Sequence, residues 1–243
     1  MNLSRALLPL AAAGLALSAT PALADAITLD SSKIGQSYTF AYNGFADSKT
    51  VPGLTASTTF TLTGISGSTY TFDYSVSNTT SSPLTSRVSS FGFNTDPNIT
   101  GASSTGAFSY TTLNSSYPNG IGAIDVCFKD AKTGSCSGGG SGGLTTGQTG
   151  TGTFTLSFAS PVTSLELSDF YVRYQSITGA GKITSASGAG TLTSSTSGGT
   201  TGGSTSGGST GGQVPEPGML GLLGAALGGV ALIRRRRKAR ITA

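Results

Sequence analysis

The stretch "YTFDYSVS", Tyr70–Ser77, carries the pattern on which the whole body is built. Tyr70, Phe72, Tyr74 and Val76 alternate with Thr71, Asp73, Ser75 and Ser77, a period of two. Successive side chains of a strand point to opposite faces, so this is a half-buried strand with an aromatic side in and a hydroxyl side out. The same alternation recurs on both sides of it. Tyr38, Phe40 and Tyr42 alternate with Ser37, Thr39 and Ala41; Phe60 and Leu62 with Thr59, Thr61 and Thr63; Phe154, Leu156 and Phe158 with Thr153, Thr155 and Ser157. Phe170, Val172 and Tyr174 form a further set, but Leu165 and Leu167 have the opposite parity. A bulge near Ser168-Asp169 reconciles them. Helical periodicity is missing from this region, and Gly, Pro, Asn and Ser clusters separate the runs. The expected fold is all-β: a single antiparallel β-sandwich domain, jelly-roll-like, over residues 25–190. That length is enough for one domain with a real core.

The two ends of the chain are of different material. Met1–Arg5 carries one positive charge, Ala6–Ala19 is almost wholly apolar, and Ala22-Leu23-Ala24 supplies small residues three apart. This is the layout of a secretory signal peptide over residues 1–24, cut by signal peptidase between Ala24 and Asp25. Ala24-Asp25-Ala26 is the competing site, with cleavage after Ala26. Of the 23 residues Thr191–Gln213, 21 are Ser, Thr or Gly. The expectation there is a flexible linker with a reach of about 26 Å, a plain tether before a carrier of O-glycans. Residues 219–233 then form an uncharged apolar run of 15 residues. As a helix it spans about 22 Å, short of a ~30 Å bilayer core unless arginines at its end snorkel. Arg234, Arg235, Arg236, Arg237, Lys238 and Arg240 come after it and are expected to stay cytoplasmic as a basic anchor.

Setting the ends aside changes the charge. The chain is formally +4, but residues 25–217 hold seven basic against ten acidic residues, a net of −3. A basic surface for nucleic acid is thereby excluded. Cys127 and Cys136 are the only cysteines; in an exported chain a disulfide between them is the default. The absence of histidine removes Ser-His-Asp and Cys-His nucleophile systems and any zinc shell built on two thiolates. No metal or other cofactor is expected. Gly138–Gly143 has no Gly-Lys-Ser/Thr step and reads as a mobile loop beside the disulfide. Asp47, Asp73, Asp96, Asp125, Asp130, Glu166 and Asp169 are the carboxylates from which a glycosidase pair could be drawn, and solvation at strand edges accounts for each equally well. The expectation is a protein that is not an enzyme. Tyr117 and Tyr171, read as exposed, are the candidates for stacking on sugar rings in an alternative reading, a surface-displayed glycan-binding module held by a single transmembrane span.

Val214-Pro215-Glu216-Pro217-Gly218, with the short apolar run and the arginine block behind it, resembles the PEP-CTERM sorting signal of Gram-negative bacteria over residues 214–240. The resemblance implies recognition of Pro215, Glu216 and Pro217 by exosortase, a membrane-embedded cysteine transpeptidase, and removal of the apolar run and the arginines. The chain would be anchored transiently in the inner membrane and then reach the cell surface or extracellular matrix, in contact with extracellular polysaccharide as a structural protein of the biofilm. The stretches "DVCFKDAKTGSCSGGGSGG" (125–143) and "TFTLSFASPVTSLELSDFYVRYQSI" (153–177) resemble the cistern family of PEP-CTERM proteins. That likeness implies an exported surface protein and adds no catalytic residue.

Overall fold

The structure, a computed structural model, describes residues 25–133 and 135–196. The alternating runs become strands in chain order: β1 (Ile27–Leu29), β2 (Ser37–Ala46), β3 (Lys49–Ser66), β4 (Thr69–Asn78), β5 (Thr85–Asp96) and β6 (Gly101–Ser104). After them come β7 (Tyr110–Tyr117), β8 (Gly122–Lys129), β9 (Leu144–Thr145), β10 (Thr149–Ser157), β11 (Leu165–Thr178) and β12 (Ala186–Thr196). Two single-turn 3-10 helices interrupt them, and no α-helix occurs among the described residues.

Every pairing is antiparallel. The all-β antiparallel expectation is met, and its closure is of a particular kind. The strands run along one path, β6-β10-β4-β3-β2-β12-β11-β5-β8-β7, with β1 added on β11 and β9 on β5. A sandwich divides its strands between two sheets; here one sheet curls until its end strands meet. Thr111 Oγ1 on β7 donates to the Ala102 carbonyl on β6 at 3.3 Å, so the sheet nearly closes into a barrel.

The inward face is the aromatic one. Phe60 on β3 is fully buried, and its ring centroid lies within 6.0 Å of those of Phe40, Phe91, Phe93, Phe154 and Phe170. Offset and edge-on contacts of this kind add to the burial of each ring. The bulge stands where the parity change placed it. The β11–β5 register shifts between Ser168 and Tyr171, and Asp169 takes φ 54°. Leu165 and Leu167 before it, and Phe170, Val172 and Tyr174 after it, therefore all reach the core. The outward face of β2, β3, β4 and β10 carries the hydroxyls, which pair across strands: Ser37 with Thr61 at 2.7 Å, Thr39 with Thr59 at 2.9 Å, Ser77 with Thr149 at 2.7 Å.

The folded body extends past the expected boundary at residue 190. Thr191–Thr196, read as the start of the linker, is the second half of β12 and pairs with Ser37–Ala41 of β2. The Leu192 side chain packs on the core, and its backbone N–H donates to the Asp25 carboxylate at 2.5 Å. A chain ended after Thr196 should therefore melt like the intact body. One ended after Gly190 should lose about 2–4 kcal/mol, from a partly buried leucine and several ladder bonds, and melt roughly 5–15 °C lower by circular dichroism. Equal melting of the two would remove residues 191–196 from the fold.

Candidate functional site

The outer face of the sheet is not uniform. Over β2, β3, β4 and β10 it is open and hydroxylated; over β11, β5 and β8 it carries a second buried layer. Alternation on β8 explains why. Val126 and Phe128 point into the main core, so Cys127 points outward, where it forms a small cluster with Cys136, Tyr117 and Ile124. Cys127 and Cys136 are disulfide-bonded, their Cα atoms 5.7 Å apart, as expected for an exported chain.

The disulfide holds the segment after β8 flat against the sheet. Ser90 Oγ donates to the Cys136 carbonyl at 2.5 Å, and Ser89 Oγ to the Ser137 carbonyl at 2.8 Å. Gln175 Nε2 donates to the same Ser137 carbonyl. Arg87 Nη2 donates to the Gly140 carbonyl at 2.7 Å. The glycine run, expected as a mobile loop, is instead seated on the strands. Gly138 has φ 73°, and a Cβ there would stand 2.4 Å from the Ser89 carbonyl oxygen; Gly143 has φ 85°, and its Cβ would stand 2.4 Å from that of Val88. Only glycine allows both that backbone and that approach.

Charged groups lie beneath this layer. The Asp130 side chain is 2% exposed; it accepts from the Gly139 N–H at 2.6 Å and lies 4.0 Å from Arg87 Nη1. Burial raises its pKa, offset in part by the Gly139 N–H and then by Arg87. Lys129, 1% exposed, donates to Thr112 Oγ1 at 2.5 Å and to the Thr133 carbonyl, and burial lowers its pKa. Arg173, 8% exposed, donates through Nη1 to Ser187 Oγ at 3.4 Å, and its Nε has no hydrogen-bond partner among the described residues. Sequence reasoning missed Lys129 and Arg173, since nothing in a strand pattern marks a cation whose outward face is covered later by a loop.

Tyr117 corrects the expected sugar-stacking pair. It is 1% exposed, its ring lies 5.6 Å from that of Tyr171, and its hydroxyl meets Ser90 Oγ at 3.4 Å. The cause is the β7–β8 turn, which crosses the outer face: Asn119 Nδ2 reaches the Phe45 carbonyl of β2 at 3.2 Å. Of the candidate carboxylates, Asp96 and Glu166 are cross-strand partners on β5 and β11, and Asn94 lies between Asp125 and Asp169. Asp73 accepts from Thr153 Oγ1 at 3.0 Å, Asp125 from the Thr95 N–H at 2.8 Å and Asp169 from Asn94 Nδ2 at 2.9 Å. Among the described residues, no group of three or more His, Cys, Asp or Glu could hold a metal.

Pro215, Glu216, Pro217, the apolar run 219–233, the basic anchor Arg234–Arg237, Lys238 and Arg240, and Ala24 lie outside the described residues; Asp25 lies within them. The comparison with known families bears on these. Residues 213–238 match the PEP-CTERM protein-sorting motif. The chain carries a PEP-CTERM signal. That motif marks an exported, membrane-transiting protein processed by an exosortase. No curated protein and no solved structure matches the chain. Among the described residues no helix is long and apolar enough to cross a membrane.

Asp130 gives a test of the covered layer. A carboxyl whose pKa is raised by folding favours its protonated form in the folded state. Its contribution to stability is therefore largest below the ordinary value of ~3.9 and falls as pH rises through the raised value. Denaturation measured across the acid range should show Asp130→Asn with a flatter loss of stability in that window than the native protein. An unchanged slope would mean that Asp130 is solvated and the layer open.

Proposed function

We propose that this chain is a structural component of the extracellular matrix. Its body serves no catalysis and meets hydrated polysaccharide through the open Ser/Thr face of the sheet. The observation that carries the reading is the make-up of that face. Ten of the twelve outward positions on β2, β3, β4 and β10 in the rows Ser37–Thr61–Asp73–Thr153, Thr39–Thr59–Ser75–Thr151 and Ala41–Ser57–Ser77–Thr149 are Ser or Thr. Neighbouring strands stand about 4.8 Å apart and like-facing residues about 6.7 Å apart along a strand, so the hydroxyls form a regular, nearly uncharged array. Such a surface exchanges hydrogen bonds with sugars and water on equal terms. It favours many weak contacts along a polymer over one tight one.

The route to that matrix rests on the carboxy-terminal signal. The apolar run stops transfer, and the arginine block resists being pulled across, a charge at the bilayer centre costing at least ~2.5 kcal/mol. Pro215 and Pro217 keep the peptide around Glu216 from continuing the helix, so it is presented extended outside the hydrocarbon. The likeness of residues 125–177 to the cistern proteins is part of the same proposal. Membrane fractionation of tagged variants in a host with its exosortase tests the route. Glu216→Ala should leave the chain exported and anchored but unprocessed, whereas Arg234–Arg237 replaced by Ser should weaken anchoring. Processing that continues unchanged in Glu216→Ala would remove the role of the glutamate.

A further inference from the structure

Three turns meet at one end of the body around a cavity of about 300 Å³. The β2–β3 turn contributes Asp47, the β7–β8 turn Asn119, and the β11–β12 connection Lys182, Ile183, Thr184 and Ser185. The volume lies at the low end for ligand pockets, the size of one ring. Asn119 is a fixed wall, since its Nδ2 donates to both the Phe45 carbonyl at 3.2 Å and Ser187 Oγ at 3.3 Å. That same Ser187 hydroxyl receives the buried Arg173 Nη1 at 3.4 Å. Arg173 thus sits behind the wall, it and Asn119 both donating to one hydroxyl oxygen.

Arg173 is the unexplained group. It is 8% exposed, and among the described residues its Nε has no hydrogen-bond partner and no carboxylate pairs with it. A guanidinium keeps its charge at any ordinary pH. Burying it without a counter-charge costs several kcal/mol. The cavity is lined by Asn119, which shares the Ser187 hydroxyl with Arg173, and by the exposed Lys182, a second positive charge. Asp47 opposes a bare anion but accepts from hydroxyl groups, and Thr184 and Ser185 both donate and accept.

We propose that this cavity binds a hydroxylated carboxylic acid of single-ring size, a uronic acid. Its carboxylate faces Lys182 and the field of Arg173. Its ring hydroxyls meet Asp47, Thr184 and Ser185, and its C–H face lies on Ile183. The ligand is either a free sugar acid or the end of an acidic polysaccharide. The inference deepens the matrix reading by naming the polymer's chemistry, and the two fail separately: processing at Pro215–Pro217 is read by fractionation, this site by binding alone.

The test is calorimetric titration of the full chain, purified in detergent, with sodium glucuronate, glucose and sodium acetate. Glucuronate should bind saturably and at least about tenfold more tightly than glucose or acetate, because only it satisfies both halves of the cavity. Lys182→Met, an exposed substitution that leaves the core untouched, should weaken glucuronate about tenfold and leave the melting temperature unchanged. Asp47→Asn should weaken it less, and added salt should weaken it steadily. Arg173→Lys, which keeps a buried cation but loses the planar fork, should also weaken it, with melting measured in parallel. A linear uronide trimer that binds as well as the monomer assigns the site to polymer ends; a trimer that fails where the monomer binds assigns it to free sugar acids. No saturable glucuronate binding, glucose binding as tightly, or full affinity in Lys182→Met would each overturn the proposal.

Discussion

The body depends on where its last strand goes. β12 lies between β2 and β11, in the middle of the sheet, and joins the β6-β10-β4-β3-β2 half to the β11-β5-β8-β7 half. Its first half is held on both edges, by Gly44 and Phe45 of β2 and by Val172–Tyr174 of β11. Its second half keeps β2 and is met on its other side by the amino-terminal Asp25. Neither half of the sheet can close on the other until this strand is in place, and it is the last to emerge in synthesis and export. The core rings show the same dependence: Phe40 of β2 and Phe170 of β11 stack at 3.9 Å across the strand that separates them.

The two outer faces solve different problems with one alternation. On β2, β3, β4 and β10 the outward residues are hydroxyls that pair with one another and stay in water. On β5, β8 and β11 they include Arg87, Cys127, Lys129 and Arg173, and the disulfide-held loop with the β7–β8 turn closes over them. Covering a sheet face this way buries charge at a cost, which Asp130 offsets for Arg87 and the Thr112 hydroxyl and Thr133 carbonyl offset for Lys129. An exported chain can rely on a disulfide to keep such a layer shut; a chain in a reducing compartment could not.

Much of this was legible in the sequence. The period of two placed Tyr70–Ser77 and its neighbours on strands with the right side inward, and the parity change between Leu167 and Phe170 located the bulge. Export made the cysteine pair a disulfide. The features that stayed hidden did so for physical reasons. Thr191–Thr196 read as linker because a tract of Ser and Thr has the same composition as the wet side of a strand, with Leu192 its one apolar residue. Gly138–Gly143 read as mobile because glycine serves close approach and freedom alike, and only the partner carbonyls of Val88 and Ser89 tell them apart. Tyr117 read as exposed because the turn that folds it inward is set by long-range bonds from Asn119 to β2 and β12.

On the proposed route a disulfide-closed β body is exported, trimmed at both ends and left outside the cell without its membrane segment. Intact mass of the native protein recovered from the producing cell's surface or medium tests it most directly. The expected species begins at Asp25, ends near Pro217 and lacks both thiol hydrogens. A species that retains the apolar run and arginine block, or that takes up alkylating agent at Cys127 and Cys136 without reduction, would contradict it.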